Sequence, residues 1–218
     1  MADTPDLPPA DSGASPVPAD APASGRKRPK PGERRIQILQ ALAAMLQEPG
    51  AERVTTAALA ARLGLSEAAL YRHFASKAQM YEGLIEFIES SLFGLVQQIA
   101  DREPDGTRAA ARMVAVLLQF GERNPGMVRV MVGDALVTEH ARLLVRMNQF
   151  FDRLESQCRQ VLRAAAEAAG SPTPTVDAQL RAAALIALAQ GRLQRFARSD
   201  FRRLPTEQLD ATLALIAR

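Results

Sequence analysis

Apolar residues recur at helical spacing from Glu33 to the end of the chain, so that side chains three or four residues apart share one face. The pattern is interrupted at Pro49-Gly50, at Asn124-Pro125-Gly126 and in the segments 101–106 and 170–175. No stretch alternates between apolar and polar residues as a half-buried strand does. The pattern therefore predicts an all-α fold.

Residues that favour helix termini divide the chain into elements. The first helix should begin at Glu33 and pack inward through Ile36, Leu39, Leu42 and Leu46. Short polar side chains that can cap the next three helices are Thr55, Ser66 and Ser76. These helices should end at Gly64, Phe74 and about Ile99. Later helices should end near Arg123 and Ala169, and the last two should cover about 177–198 and 206–217.

Composition indicates what the core is made of. Apolar residues make up 47% of the chain, but only 5% of residues are aromatic and none is Trp, so aliphatic side chains must fill the interior. Cys158 is the only cysteine, which excludes an internal disulfide. No apolar run approaches the roughly 20 residues of a membrane span, and residues 1–13 lack the features of a signal peptide. These features favour a soluble, cytoplasmic protein.

The net charge of +3 is unevenly distributed. Residues 1–25 contain four Asp, no Lys or Arg, six Pro and six Ala, a composition typical of disorder. Residues 26–77 hold ten basic and four acidic residues, a net charge of +6, and open with the basic arm RKRPKPGERR. A basic concentration in one short region indicates binding to nucleic acid or to another anionic surface.

The turn LGLS at 63–66, with its Gly64, is typical of a helix-turn-helix. If Leu70 and Phe74 pack inward, steps of about 100° place small alanines and an arginine on the opposite face, where they could approach base edges. Neighbouring hydroxyl and basic side chains could contact phosphates. The predicted DNA-binding residues are Thr55, Thr56, Ser66, Ala68, Ala69, Tyr71, Arg72, His73 and Lys77. An ordinary helical hairpin with a solvated polar face is the alternative.

Residues 55–88, TTAALAARLGLSEAALYRHFASKAQMYEGLIEFI, resemble the DNA-binding domain of the TetR family, with its Y-x-H-F signature at 71–74. With FGERNPGM at 120–127 and the segments 147–163 and 195–211, they resemble the nucleoid occlusion factors, division inhibitors of TetR fold. The resemblance implies a homodimer, associated with the nucleoid, that binds double-stranded DNA at specific pseudo-palindromic sites. It also implies that the DNA-bound protein engages the tubulin-like division protein FtsZ and prevents assembly of the division ring. The acidic Pro/Ala tail departs from the family pattern.

Phe87 lies about 100° off the apolar stripe of the fourth helix, beside Ser90, Ser91 and Gly94. Periodicity alone is equally compatible with packing on another helix and with lining a groove for a partner. The resemblance favours the groove, because it implies that the Pro-Gly break after the fifth helix lies next to this surface. The predicted FtsZ-binding residues are Phe87, Arg123 and Asn124.

Residues 182–191 are rich in small side chains that would let another helix approach closely. The predicted dimer residues are Ala187, Gly191 and Phe196. The amphipathic pattern alone also allows the last two helices to belong to the intramolecular core. Because TetR-fold proteins use these helices as a four-helix dimer interface, the resemblance favours dimerisation.

Nothing in the sequence points to catalysis, a metal site or a cofactor. His73 and His140 lie on separate helices, Cys158 has no evident base, and phosphate-loop, dinucleotide and paired-cysteine motifs are absent. A ligand-responsive repressor and a helical scaffold or enzyme with incidental basic charge remain alternatives. The expected organisation is a tail and basic arm at 1–32, a DNA-binding domain at 33–77 and a helical dimerisation and partner-binding domain at 78–218.

Overall fold

A computed structural model describes residues 32–48 and 53–216. Within these ranges the chain is helical, with no strand, which confirms the all-α prediction. The α-helices are α1 (Glu33–Gln47), α2 (Thr56–Leu63), α3 (Glu67–Tyr71), α4 (Lys77–Arg102), α5 (Gly106–Arg123), α6 (Pro125–Met131), α7 (Ala141–Ala168), α8 (Pro174–Arg198) and α9 (Leu209–Ile216). A short 3-10 helix, Asp134–Leu136, precedes α7. The predicted tail, most of the basic arm and the Pro49-Gly50 break lie outside the described residues.

The three predicted N-caps are confirmed. The side-chain oxygens of Thr55, Ser66 and Ser76 each accept a hydrogen bond from a backbone N–H in the first turn of α2, α3 and α4, at 3.2 Å in every case. Gly64 ends α2 with φ 62°, a left-handed conformation in which a Cβ would be strained. These caps fix the sharp turns that α2 and α3 need to form a compact unit.

The first three helices pack around a shared apolar centre. Leu42 of α1, Leu59 of α2 and Leu70 of α3 are buried, as is Phe74, which follows α3. The guanidinium of Arg35 lies 4.1 Å from the centre of the Phe74 ring and covers it from the α1 side. The inward packing of Leu70 and Phe74, on which the predicted recognition face depends, is therefore confirmed.

The remaining helices form an antiparallel bundle whose direction can be followed from contacts. α4 leads away from the first three helices and α5 returns. At the far end Gly106 packs so tightly against α7 that an added Cβ would lie 2.0 Å from the carbonyl oxygen of Val161. α7 begins near the start of α4, where Arg142 contacts Glu82 at 2.7 Å. α8 runs back along α7, and Asp200, just after its end, contacts Arg129 of α6.

Two expectations from the sequence are wrong. α3 ends at Tyr71 rather than Phe74, because the N–H groups of His73 and Phe74 both bond the Leu70 carbonyl and close a turn. Ile36 is 57% exposed, since the buried face of α1 is formed by Ile38, Leu42 and Leu46. The helix bounds otherwise differ from the prediction by a few residues.

Among the described residues, none of the helices combines the length and the apolar content that crossing a membrane requires. The same part of the chain brings together no group of three or more His, Cys, Asp or Glu side chains that could hold a metal ion.

Candidate DNA-binding surface and partner groove

The predicted recognition face is open in the structure. Ala68, Tyr71, Arg72 and His73 are exposed, and Ala69 is half-buried behind them. Arg72 is the C-cap of α3, where its side chain follows a short helix that presents two small residues. A surface of this kind can enter a major groove closely and offer a guanidinium to a guanine.

The turn that follows α3 is held from α1. Arg35 donates a hydrogen bond from Nη1 to the carbonyl oxygen of His73 at 2.9 Å while its guanidinium covers Phe74. His73 thus lies beyond the end of α3. Arg35 was not among the predicted site residues, and its role in positioning this turn depends on a contact between residues far apart in sequence.

Two predicted phosphate-binding side chains already have protein partners. The Thr56 hydroxyl donates to a carboxylate oxygen of Glu67 at 2.6 Å, and so ties α2 to α3. The Lys77 ammonium is partly buried and lies 2.5 Å from a carboxylate oxygen of Glu139. Both side chains would have to give up these partners to bind a phosphate. Thr55 and Ser66 differ, because their oxygens accept bonds as caps and their hydroxyl protons can still be donated.

A groove of about 420 Å³ lies between α1, α4 and the junction of α5 with α6. We call it the α1–α4 groove. Its lining includes the three predicted partner-binding residues, and its other residues are mostly apolar or small: Ile36, Leu39, Gln40, Ala43, Ala44, Gln47, Leu84, Gly126 and Met127.

Phe87 forms part of one wall of this groove. Its side chain is 47% exposed, and its ring centre lies 6.2 Å from that of Phe120, so one side of the ring packs and the other faces solvent. Exposed Ile36 also lines the groove. The sequence predicts Ile36 in the core, but its side chain is exposed because it belongs to this apolar surface.

The other two predicted residues lie at the lip of the groove. Arg123 is exposed at the last position of α5. Asn124 does not cap α6; its side-chain amide donates instead to the carbonyl oxygen of Phe120 at 2.8 Å and so caps the end of α5. The groove therefore combines an apolar floor with one unburied guanidinium and a fixed turn.

The small residues of α8 divide between two faces. Ala187 and Gly191 are exposed, and a Cβ added at Gly191 would meet nothing within 4 Å. Ala182 and Ala189 are buried within the chain's own core. Phe196, predicted as a dimer residue, is only 1% exposed, which corrects that prediction: it packs edge-on against Phe201, with ring centres 5.1 Å apart, because the loop after α8 folds back over it.

Comparison with known proteins decides the family. A family model described as "Tetracyclin repressor-like, C-terminal domain" and labelled SlmA-like matches residues 107–218, and one described as "Bacterial regulatory proteins, tetR family" matches residues 38–84. The chain is 49% identical over 185 residues to the nucleoid occlusion factor SlmA of Vibrio atlanticus, covering 84% of this chain and 94% of that protein. The chain belongs to the SlmA family of nucleoid occlusion factors.

Other relatives agree with this assignment. SlmA of Vibrio cholerae is 50% identical over 84% of this chain and 94% of its own length, and SlmA of Idiomarina loihiensis is 50% identical over 82% and 90%. Among solved structures, the TetR family regulator PfmR of Thermus thermophilus superposes with a TM-score of 0.66 at 24% identity, covering 84% of this chain and 95% of that one. FadR of Bacillus subtilis gives 0.65 at 12% identity, over 84% and 97%. These two structures show the TetR fold alone.

Proposed function

We propose that the protein is a nucleoid occlusion factor that binds specific, pseudo-palindromic chromosomal sites as a dimer and, when DNA-bound, engages FtsZ so that the division ring does not assemble over the chromosome. The observation that carries the FtsZ part is the α1–α4 groove, because the three predicted residues, Phe87 of α4 and Arg123 and Asn124 at the end of α5, line one cleft. The relatives' shared name supports the division role.

The groove suits a short peptide that combines apolar and acidic residues. Phe87, Ile36 and Leu39 offer an apolar surface, and Arg123 at the lip can form a bidentate pair with a carboxylate. Peptides bind such grooves through a few buried apolar anchors, with charged contacts at the rim that set specificity. We assign the groove to the FtsZ tail on this chemistry.

The DNA-binding part of the proposal is supported by the open face of α3 and the caps that orient it. Dimerisation through the exposed stripe of α8 would pair two such faces, which suits a two-fold symmetric site. A cytoplasmic location on the nucleoid follows from the proposal.

A ligand-responsive repressor is less well supported. The cleft between α6, α7 and α8, lined by Met131, Leu144, Met147 and Phe151 among others, holds only about 140 Å³. Sites for drug-sized ligands hold about 300–1,000 Å³. A cleft this small does not favour an internal effector.

The test uses the full chain, a fluorescent peptide with the sequence of the FtsZ tail, and a specific duplex selected from chromosomal DNA. Phe87→Ala and Arg123→Asp should each abolish peptide binding while retaining DNA affinity and dimerisation. Val145→Ala and Arg102→Asp are matched controls, because both residues are exposed outside the groove and the substitutions are of similar kind. Retained peptide affinity in both groove variants would exclude the groove as the FtsZ site. If a small-molecule effector releases the DNA and the FtsZ peptide does not bind, the ligand-responsive repressor is favoured.

A further inference from the structure

Four arginines cluster at the end of α8 and in the loop that follows it: Arg195, Arg198, Arg202 and Arg203. All four are exposed. They line two neighbouring surface clefts of about 270 and 520 Å³. Within the described part of the chain, none of them forms an ion pair with a carboxylate. We call these four residues the arginine cluster.

The loop that carries Arg202 and Arg203 is held in a strained conformation. Asp200 and Phe201 both have positive φ, 47° and 61°, which costs a non-glycine residue about 1 kcal/mol or more. The Phe201 ring packs on Phe196, and the buried Arg129 lies 5.1 Å from the Phe201 ring centre and 3.6 Å from an Asp200 oxygen. These contacts stabilise the strained conformation of Asp200 and Phe201. The backbone that carries Arg202 and Arg203 is therefore held in place.

Arg192 fixes the second half of the same loop. Its guanidinium donates to the carbonyl oxygens of Pro205 and Glu207 at 2.9 and 2.7 Å and to the Thr212 hydroxyl at 2.8 Å. Binding to a pre-organised arginine surface loses less conformational entropy than binding to a flexible one. Nε of Arg202 donates to the carbonyl oxygen of Ser199 at 3.0 Å, but no carboxylate of the described residues pairs with any of the four guanidinium groups. A loop stabilised at both ends that presents such groups is suited to an anionic partner.

The segment that follows the arginine cluster contacts the end of α5, which also borders the α1–α4 groove. Thr206, three residues after Arg203, donates a hydrogen bond to the carboxylate of Glu122. The next residue, Arg123, lines the groove. The end of α5 therefore lies between the groove and the segment that follows the arginine cluster.

The contacts that link this loop to α3 pass through two other helices. The loop contacts α6 through Arg129 and Asp200, α6 packs on α1 through Gly126 and Ala43, and α1 in turn covers Phe74 behind α3. Along this path α6 and α1, whose axes pack about 8–10 Å apart, lie between the loop and α3.

We propose that the arginine cluster binds an acidic segment of a protein partner, and that this segment adjoins the one seated in the α1–α4 groove. Guanidinium groups pair bidentately with carboxylates, and no carboxylate of the described residues occupies these four. The inference rests on the proposed function, because it names the chemistry of the partner beyond the groove.

The test measures binding of a short fluorescent peptide of alternating Asp and Glu to the full chain by anisotropy, with an Asn/Gln peptide of the same length as the neutral probe. The native chain should bind the acidic probe, with an affinity that falls as salt rises, and should not bind the neutral one. Arg202→Glu combined with Arg203→Glu should weaken binding by about tenfold or more. The milder pair Arg202→Gln and Arg203→Gln should weaken it less, and it serves as the second variant if charge reversal disturbs the fold.

The matched control is Arg159→Glu combined with Arg163→Glu, since both residues are exposed on α7 and the change in net charge is the same. This control should change the acidic-probe affinity by less than about twofold.

Phe87→Ala should bind the acidic probe with unchanged affinity, because Phe87 lies in the groove and not in the arginine cluster. This result would test the arginine cluster independently of FtsZ binding to the groove.

Three outcomes would overturn the proposal. Equal losses in the α7 control and the loop variants would show diffuse charge attraction. If Phe87→Ala no longer binds the acidic probe, the probe binds in the groove. If the loop variants still bind the acidic probe but no longer bind specific DNA or anionic lipid vesicles, the arginine cluster binds phosphate groups and not carboxylates.

Discussion

The Lys77 ammonium and the Glu139 carboxylate, 2.5 Å apart, join the first residue of α4 to the loop before α7. Lys77 also lies 5.7 Å from the centre of the Tyr81 ring, and burial together with the nearby Glu139 charge raises the pKa of Tyr81 well above its usual value. Lys77 is a predicted phosphate contact. If it binds a phosphate, DNA must compete with Glu139 for the same ammonium, and DNA binding would then be linked to the loop at 133–140.

Glu139→Gln is expected to release Lys77 and to raise affinity for specific and scrambled duplexes by a similar factor. Lys77→Gln should lower both affinities and reduce the slope of log affinity against log salt concentration by about 1. Anisotropy titrations at several salt concentrations measure both effects. If the two substitutions weaken DNA binding alike, the ion pair positions α4 and does not compete with phosphate.

Arg72→Ala should reduce binding to a specific duplex by about 1–3 kcal/mol and have little effect on scrambled DNA, because a guanidinium that pairs with a base edge contributes to sequence discrimination. Lys77→Gln is the contrasting variant, since a phosphate contact affects all sequences. Paired titrations on both duplexes decide the matter. Equal losses on specific and scrambled DNA for Arg72→Ala would contradict the assigned recognition face.

Local signals predicted the recognition unit well. Capping hydroxyls, a turn glycine and i, i+4 apolar pairs act within a few residues, so Thr55, Ser66 and the buried Leu70 could be read from the sequence. The end of α3 was placed too late, because the turn at 72–74 is also fixed by Arg35 from α1.

Long-range packing accounts for what periodicity missed. α1 has two overlapping apolar stripes, and only contact with α2–α4 and α6 decides that Ile38 rather than Ile36 is buried. Phe196 is buried because the loop after α8 returns with Phe201, a fold-back that helical spacing does not encode. The Lys77–Glu139 pair joins residues 62 positions apart and has no local signature.

The exposed stripe of α8 predicts where a dimer is most easily disrupted. Gly191→Glu or Ala187→Glu places a charge on a surface that is open in the single chain, so each protein should fold but sediment as a monomer and lose specific DNA binding. Ala164→Glu on the exposed face of α7 is the matched control and should remain dimeric. Analytical ultracentrifugation at micromolar protein concentration measures the oligomeric state of each variant. A native chain that is monomeric at this concentration would contradict the dimer.

Cys158 should be unreactive in the folded protein. Its thiol is buried against Met113, and burial, with a smaller effect of Glu155, raises the pKa of Cys158 to about 12. Thiolate is the reactive form, so a thiol reagent near neutral pH should label the chain only after denaturant is added. The unfolded thiol titrates near 9.0, so stability contributed by the neutral thiol is complete below that pH and decreases as pH rises above it. Rapid labelling of the native chain would contradict this burial.

Two glycines in helices should respond to alanine in opposite directions. Gly126 of α6 packs against α1, where an added Cβ would lie 2.0 Å from the Ala43 carbonyl oxygen, so Gly126→Ala must push the two helices apart. We expect a loss of about 1–3 kcal/mol in the free energy of unfolding, together with weaker binding in the adjoining α1–α4 groove. Gly94 lies in the interior of α4 with nothing within 4 Å of the added atom, so Gly94→Ala should stabilise the helix by about 1 kcal/mol. Urea denaturation followed by circular dichroism compares the two variants. Equal stability for both would show that α6 can move away from α1 without loss, and that the groove between them is not rigid.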